Sequence, residues 1–168
     1  MIFLTVGTDH HQFHRLLKKM DALAADEILQ HELVVQYGLN RFIPKAASQL
    51  HDFLSFDKMI EYIKKAEIII THASSTAMLA ITNGKIPVVV PRDKKFNEII
   101  DDHQLEFARK LENELPMIVV YDVEKIGDVL KNYSQLSDAI CKRASLSSDS
   151  KNQAVLELDR LVHKWFPN

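Results

Sequence analysis

Residues 67–79 read EIIITHASSTAML, and how this stretch folds decides the architecture. Glu67 to Thr71 is a short run of β-branched residues. It meets His72, Ala73 and three consecutive hydroxyl side chains, Ser74, Ser75 and Thr76, before apolar residues return at helical spacing. The pattern predicts strand, tight turn, helix. At such a junction the first helical N–H groups lack intrahelical partners, and hydroxyls either cap them or share them with a bound anion. A cap needs one hydroxyl, so three beside an imidazole point toward a ligand.

Working outward, strand and helix patterns alternate. Strands are expected at Ile2–Val6, Leu33–Gln36, a short extended piece at Asp52–Leu54, the run after Glu67, Ile86–Val90 and Met117–Tyr121. Helices are expected through Leu16–Leu23, Asp57–Lys65, Thr76–Thr82 and Leu105–Leu111. Beyond Val123 the pattern is helical throughout. The runs IFLTV, IIIT and PVVVP are apolar at consecutive positions, as strands buried on both faces are. The expectation is an α/β fold, a single Rossmann-like, doubly wound parallel sheet with helices on both faces. No repeat or linker interrupts the chain, so residues 1–168 read as one domain, with 126–168 a helical tail packed on it.

Composition narrows the function. Of 168 residues 46% are hydrophobic, ordinary for a globular protein, and 21 Lys plus Arg against 23 Asp plus Glu give a net charge of −2. That balance argues against a nucleic-acid partner. The single cysteine, Cys141, allows no internal disulfide and fits a reducing compartment. No basic leader and no bilayer-length apolar run are present, so a cytoplasmic protein is expected, peripheral at a membrane only through something that holds it there.

In an open parallel sheet, ligands bind outside the carboxyl ends of the strands. Those ends read VGTDHHQF, THASST and PRDKKFNEIIDDHQLEF, which brings Gly7, Thr8, His72, the hydroxyl loop, Arg92, Lys94, Lys95, Asp102 and Gln104 to one rim. The dinucleotide-binding glycine fingerprint, a P-loop and a nucleophile elbow are all absent. His10, His11 and His14 lack a recognisable metal-ligand arrangement and read as a solvated loop. Lys94 and Lys95 suit a solvated loop or a phosphate clamp, and Asp101 and Asp102 suit helix capping or sugar binding. Leu158, Leu161, Val162 and Trp165 share a helical face that reads as core packing, with Trp165 and Phe166 also placed to dock on a partner.

Taken together, IFLTVGT followed by FHRL, then FDKM, ITHASST, NGKIPVVVPR and DDHQLEFARKL resemble the C-terminal, nucleotide-sugar-binding half of GT-B glycosyltransferases of family 28. More narrowly they resemble single-domain subunits of bacterial capsule and exopolysaccharide transferases and the soluble subunit of the eukaryotic dolichol-linked GlcNAc transferase. The resemblance covers roughly residues 1–125. It implies a UDP-sugar substrate, no metal or other cofactor, and an inverting transfer. It also implies a membrane-associated partner chain that supplies the general base and holds a lipid-linked acceptor. Gly7, Thr8, His72, Ser74, Ser75 and Thr76 would face the diphosphate, Arg92 would add positive charge, Asp102 and Gln104 would meet the sugar, and Phe56 falls where the family's backbone contacts uracil. The chain departs from the family at Ser74, where glycine is usual, and at Ala80, where counting from His72 places a ribose-binding carboxylate. A non-catalytic enhancer module of the same fold is the alternative.

Overall fold

A computed structural model describes residues 1–146 apart from 27, 28 and 30. Six parallel strands form one sheet: β1 (Ile2–Thr5), β2 (Leu33–Gln36), β3 (Gln49–His51), β4 (Ile68–Thr71), β5 (Val88–Val89) and β6 (Ile118–Val119). Their order is β3-β2-β1-β4-β5-β6. The chain therefore winds outward from β1 to β3, crosses back, and winds outward again from β4, which is the doubly wound arrangement. Six helices accompany the strands among the described residues: α1 (His14–Ala25), α2 (Phe56–Lys65), α3 (Ser75–Thr82), α4 (His103–Leu111), α5 (Ile126–Lys131) and α6 (Tyr133–Leu146).

The consecutive apolar runs are explained by two cores. Ile2 and Leu4 of β1 and Ile68 and Ile70 of β4 pack with Leu16, Leu17 and Met20 of α1 and Ile126 of α5. Their sequence neighbours Phe3 and Ile69 point the other way, against Ile63 of α2 and Ala80 of α3. Every residue of β1, β2 and β4 is buried. Alternate side chains thus enter opposite cores, and neither face of these strands is left to solvent.

Two expectations need correction. The third strand is Gln49–His51, not Asp52–Leu54; it is a three-residue edge strand with Gln49 and Leu50 exposed, too short to show an apolar pattern. The fifth strand is only Val88–Val89, between Pro87 and Pro91, which have no N–H to give a ladder. The described part of the tail is helical as expected, a 3₁₀ turn at Val123–Lys125 leading into α5 and α6 with a break at Asn132. Leu158, Leu161, Val162, Trp165 and Phe166 lie outside the described residues. No helix among the described residues is long and apolar enough to cross a membrane.

Candidate functional site

The sheet's order reverses between β1 and β4, which pair from Ile2–Ile68 to Thr5–Thr71. Two neighbouring strands that lead to opposite sides open a crevice at their carboxyl ends. Gly7 and His72 meet there. Gly7 has φ +75°, and a Cβ on it would lie 2.7 Å from His72 Cε1, so only glycine lets the turn pass this close to the ring. Gly38, after β2, packs in the same way beneath Gly7, with φ +58° and an imaginary Cβ 2.2 Å from the Gly7 carbonyl oxygen.

His72 is buried, 9% exposed, and among the described residues its Nδ1 has no hydrogen-bond partner; the hydroxyl of neighbouring Thr71 is likewise buried and unpartnered among them. Burial first, then the nearby Arg92 charge, pushes the His72 imidazole down to about 3 against an opposing pull from Asp9. At neutral pH the ring is neutral. A buried polar side chain is normally satisfied, so unpartnered groups on two successive residues at a crevice suit a ligand that completes them.

The pKa has a measurable consequence. The unfolded chain's histidine titrates near 6.5 and the native one near 3, so between these pH values the unfolded state binds the extra proton. Stability therefore falls as pH drops through this window, by roughly 1 kcal/mol per pH unit from this group. Urea unfolding from pH 7 to 4.5 should show a flatter pH dependence for His72→Gln than for the wild type. Equal slopes would contradict a neutral, buried His72.

The hydroxyl loop is partly occupied. Ser74 is the N-cap of α3: its Oγ accepts from Thr76 N (3.3 Å) and donates to the His72 carbonyl (3.4 Å). The side chain that departs from the family pattern therefore serves as a cap. Ser75 is exposed and Thr76 half-buried at the helix start, where the first-turn N–H groups and helix dipole favour an anion. Ala80 is not at the rim. It is buried beside Phe3 and Ile63, on the same helix face as buried Ala77.

Arg92, expected to add positive charge at the rim, is not exposed there. It is 1% exposed, and its Nη atoms donate to the carbonyls of His11 (2.8 Å), Glu98 (2.9 Å) and Val6 (2.9 Å). It stacks over the Phe13 ring at 4.8 Å. Its charge is buried behind the site and ties the loop after β1 to the loop after β5. The carboxylate of buried Glu98 is held by Arg15 (3.0 and 2.8 Å) and by Asp93 N (3.1 Å) rather than by Arg92. Gln104 Oε1 accepts from Arg92 N (3.1 Å), which leaves its amide NH₂ without a partner among the described residues.

Thr8 is exposed beside Gly7. Asp102 is exposed at the N-cap position of α4 but makes no capping bond; Asp101 accepts from His103 N instead. Lys95 pairs with Asp93 at 2.9 Å. Phe56 begins α2, 68% exposed, beyond β2 and β3 on the rim. The structure brings Gly7, His72, Ser74, Arg92 and Gln104 together and leaves Phe56 and Asp102 on the periphery. Asp9, His10 and His11 place ligand atoms within 4.8 Å of one another, with His11 Nδ1 2.7 Å from Asp9 Oδ1, while His14 bonds Gln12 instead.

Sequence reasoning missed three supporting residues. Gln36 donates to the carbonyls of Gly7 and Asp52 and accepts from Thr5 Oγ1. Asn40 accepts from Phe13 N and donates to the Tyr37 carbonyl. Glu98 is the third. A polar residue closing the apolar run LVVQ is the only local signal, and it marks Gln36.

The family described as glycosyltransferase family 28 C-terminal domain matches residues 1–162. Human UDP-N-acetylglucosamine transferase subunit ALG13 is 32% identical over 120 residues, 67% of this chain and 10% of that protein. The subunit of the same name from Yarrowia lipolytica is 31% identical over 100 residues, 55% of this chain and 49% of its own. The chain thus spans from a tenth to about half of these relatives. Among solved structures, the calicheamicin glycosyltransferase CalG4 superposes with TM-score 0.51 at 16% identity, covering 99% of this chain and 44% of its own. The glycotransferase of kitacinnamycin gives 0.54 at 13%, with the same coverage. These two likenesses are of fold alone.

Proposed function

Because the chain belongs to the glycosyltransferase family 28 C-terminal domain family, we propose that it is the donor-binding half of a two-chain glycosyltransferase that moves a sugar from a UDP-sugar to a lipid-linked acceptor. The observation that carries this reading is the Gly7–His72 contact at the β1/β4 switch point, with the buried Nδ1 of the ring left without a partner among the described residues. The similar proteins named as subunits of a UDP-N-acetylglucosamine transferase support a partner chain, and a membrane-associated partner fits a lipid-linked acceptor.

The diphosphate lies over Gly7 and the start of α3. Neutral His72 donates a hydrogen bond to it rather than a charge, the first-turn amides of α3 add theirs, and buried Arg92 contributes a positive field without contact. The free amide of Gln104 meets the sugar. As the acceptor oxygen attacks the anomeric carbon from the opposite face, the bond to UDP breaks, and these donors stabilise the charge that grows on the leaving phosphate. The partner supplies the base that takes the acceptor proton and excludes water from the cleft. The reading requires no metal.

Calorimetry of the full chain with UDP tests it. Binding is expected, and His72→Ala and Gln104→Ala should each weaken it by about 1.5–3 kcal/mol, the worth of a hydrogen bond to a charged group. His72 is buried, so each variant's unfolding midpoint is measured alongside. No UDP binding by the wild type, or unchanged affinity in both folded variants, would favour the enhancer module, whose case rests on Ser74 acting as a cap and Ala80 lying in the core.

A further inference from the structure

The connection from Tyr37 to Ser48 joins two parallel strands, β2 and β3, without a helix. Such crossovers are usually helical, and irregular connections of this length are uncommon unless they serve a function. This one is pinned along α1 and the turn before it. Gln12 Nε2 donates to the Leu39 carbonyl (3.2 Å), Arg41 N donates to Gln12 Oε1 (2.7 Å), and the amides of Lys45 and Ala46 donate to Asp21 Oδ1 (2.7 Å each).

Held this way, the segment alternates. Asn40 and Pro44 are buried and Phe42 is half-buried, while Leu39 (52%), Arg41, Ile43 (48%) and Lys45 face solvent. The outward row is aliphatic, cationic, aliphatic, cationic. Lys18 of α1 joins it, its Nζ 5.8 Å from the Phe42 ring centre. Lys18, Arg41 and Lys45 make no ion pair among the described residues, residues 37–48 contain no acid, and the nearby Asp21 accepts backbone amides at Oδ1 rather than pairing with a cation. The local field is strong enough to act on its neighbour: burial first, then Lys18 and Arg41, hold His14 below its ordinary pKa. This basic, aliphatic surface sits on a chain whose net charge is −2.

We propose that the β2–β3 connection is a membrane-contact surface for anionic lipid, with Leu39 and Ile43 entering the headgroup layer and Lys18, Arg41 and Lys45 meeting the phosphates. Cations near an anionic leaflet attract it over about a Debye length, and exposed aliphatic side chains beside them add short-range burial. An acidic protein face would satisfy the charges but gives no reason for isolated aliphatics spaced between them. The segment starts at Gly38, which packs on Gly7, so a membrane held here lies beside the rim. The proposal stands independently of donor binding.

Vesicle flotation of the full chain tests it, with phosphatidylcholine alone and with about one third phosphatidylglycerol. The wild type should float with the anionic vesicles, much less with the neutral ones, and release as salt rises. R41E/K45E should cut partitioning at least about tenfold, since each cation is worth roughly fivefold. L39S/I43S should also weaken it, and K64E, on α2, should leave it unchanged. All these side chains are exposed, so unfolding midpoints and UDP binding should match the wild type. Flotation no better with anionic than with neutral vesicles, or R41E/K45E floating like the wild type, would overturn the proposal.

Discussion

Arg92→Met is expected to lower the unfolding free energy by about 3–5 kcal/mol, the largest effect of any single substitution proposed for this chain. Three carbonyls, those of buried Val6 and Glu98 and of half-buried His11, lose their donors together. A methionine fills much of the space but donates nothing, so the desolvation cost of each acceptor returns. For a domain whose whole stability is about 5–15 kcal/mol, that loss shows as a clear drop in the urea midpoint. Under conditions where the variant stays folded, the His72 pKa, followed by NMR, should rise, because one of its two depressing causes is gone. It should stay below 6.5, because burial, the larger cause, remains. A wild-type urea midpoint for the variant would refute the role assigned to Arg92.

Gly38→Ala should cost about 2–5 kcal/mol, from the left-handed backbone together with the steric clash. Its φ is +58°, and the added methyl would sit 2.2 Å from the Gly7 oxygen and 3.5 Å from Thr8 Cα, both backbone atoms that cannot swing aside. The loop after β1 must move, so UDP affinity should fall even in molecules that remain folded. Gly84→Ala provides the comparison: φ is +74° but nothing lies within 4 Å, so only the backbone cost of about 1–2 kcal/mol applies. Comparable losses in both variants, read from urea unfolding, would show that the close approach to Gly7 contributes nothing.

The sheet was legible wherever both of its faces are buried. The runs IFLT, LVV, IIIT and VVV announce themselves because water reaches neither side. The edge strand QLH did not, since its pairing to β2 is a backbone matter and its side chains are exposed. At the site, His72 and Gly7 were readable because strand ends carry ligands in this architecture. Arg92 was placed at the rim as local positive charge, but its burial was not legible: PRDKK looks like a basic loop, and what separates its arginine from its lysines is burial against carbonyls far away in sequence. Counting from His72 marked Ala80 as a departure from the family but could not show that it is buried in the core. Gln36, Asn40 and Glu98 act through distant partners, and their local sequence is silent about them.

The position of β1 shapes how the protein must be made. Of the six strands, β1 is synthesised first and lies inside the finished sheet, with Ile2 paired to Leu33 on one side and Ile68 on the other. Its second partner is synthesised only after β2, β3 and α2. Until then an apolar strand with an open edge waits in the nascent chain, and closing the sheet requires bringing distant segments together. Such non-local pairing makes folding slow compared with helical chains and leaves the early chain prone to wrong pairings. Deleting β1, Ile2–Thr5, would remove the axis of the sheet rather than its margin.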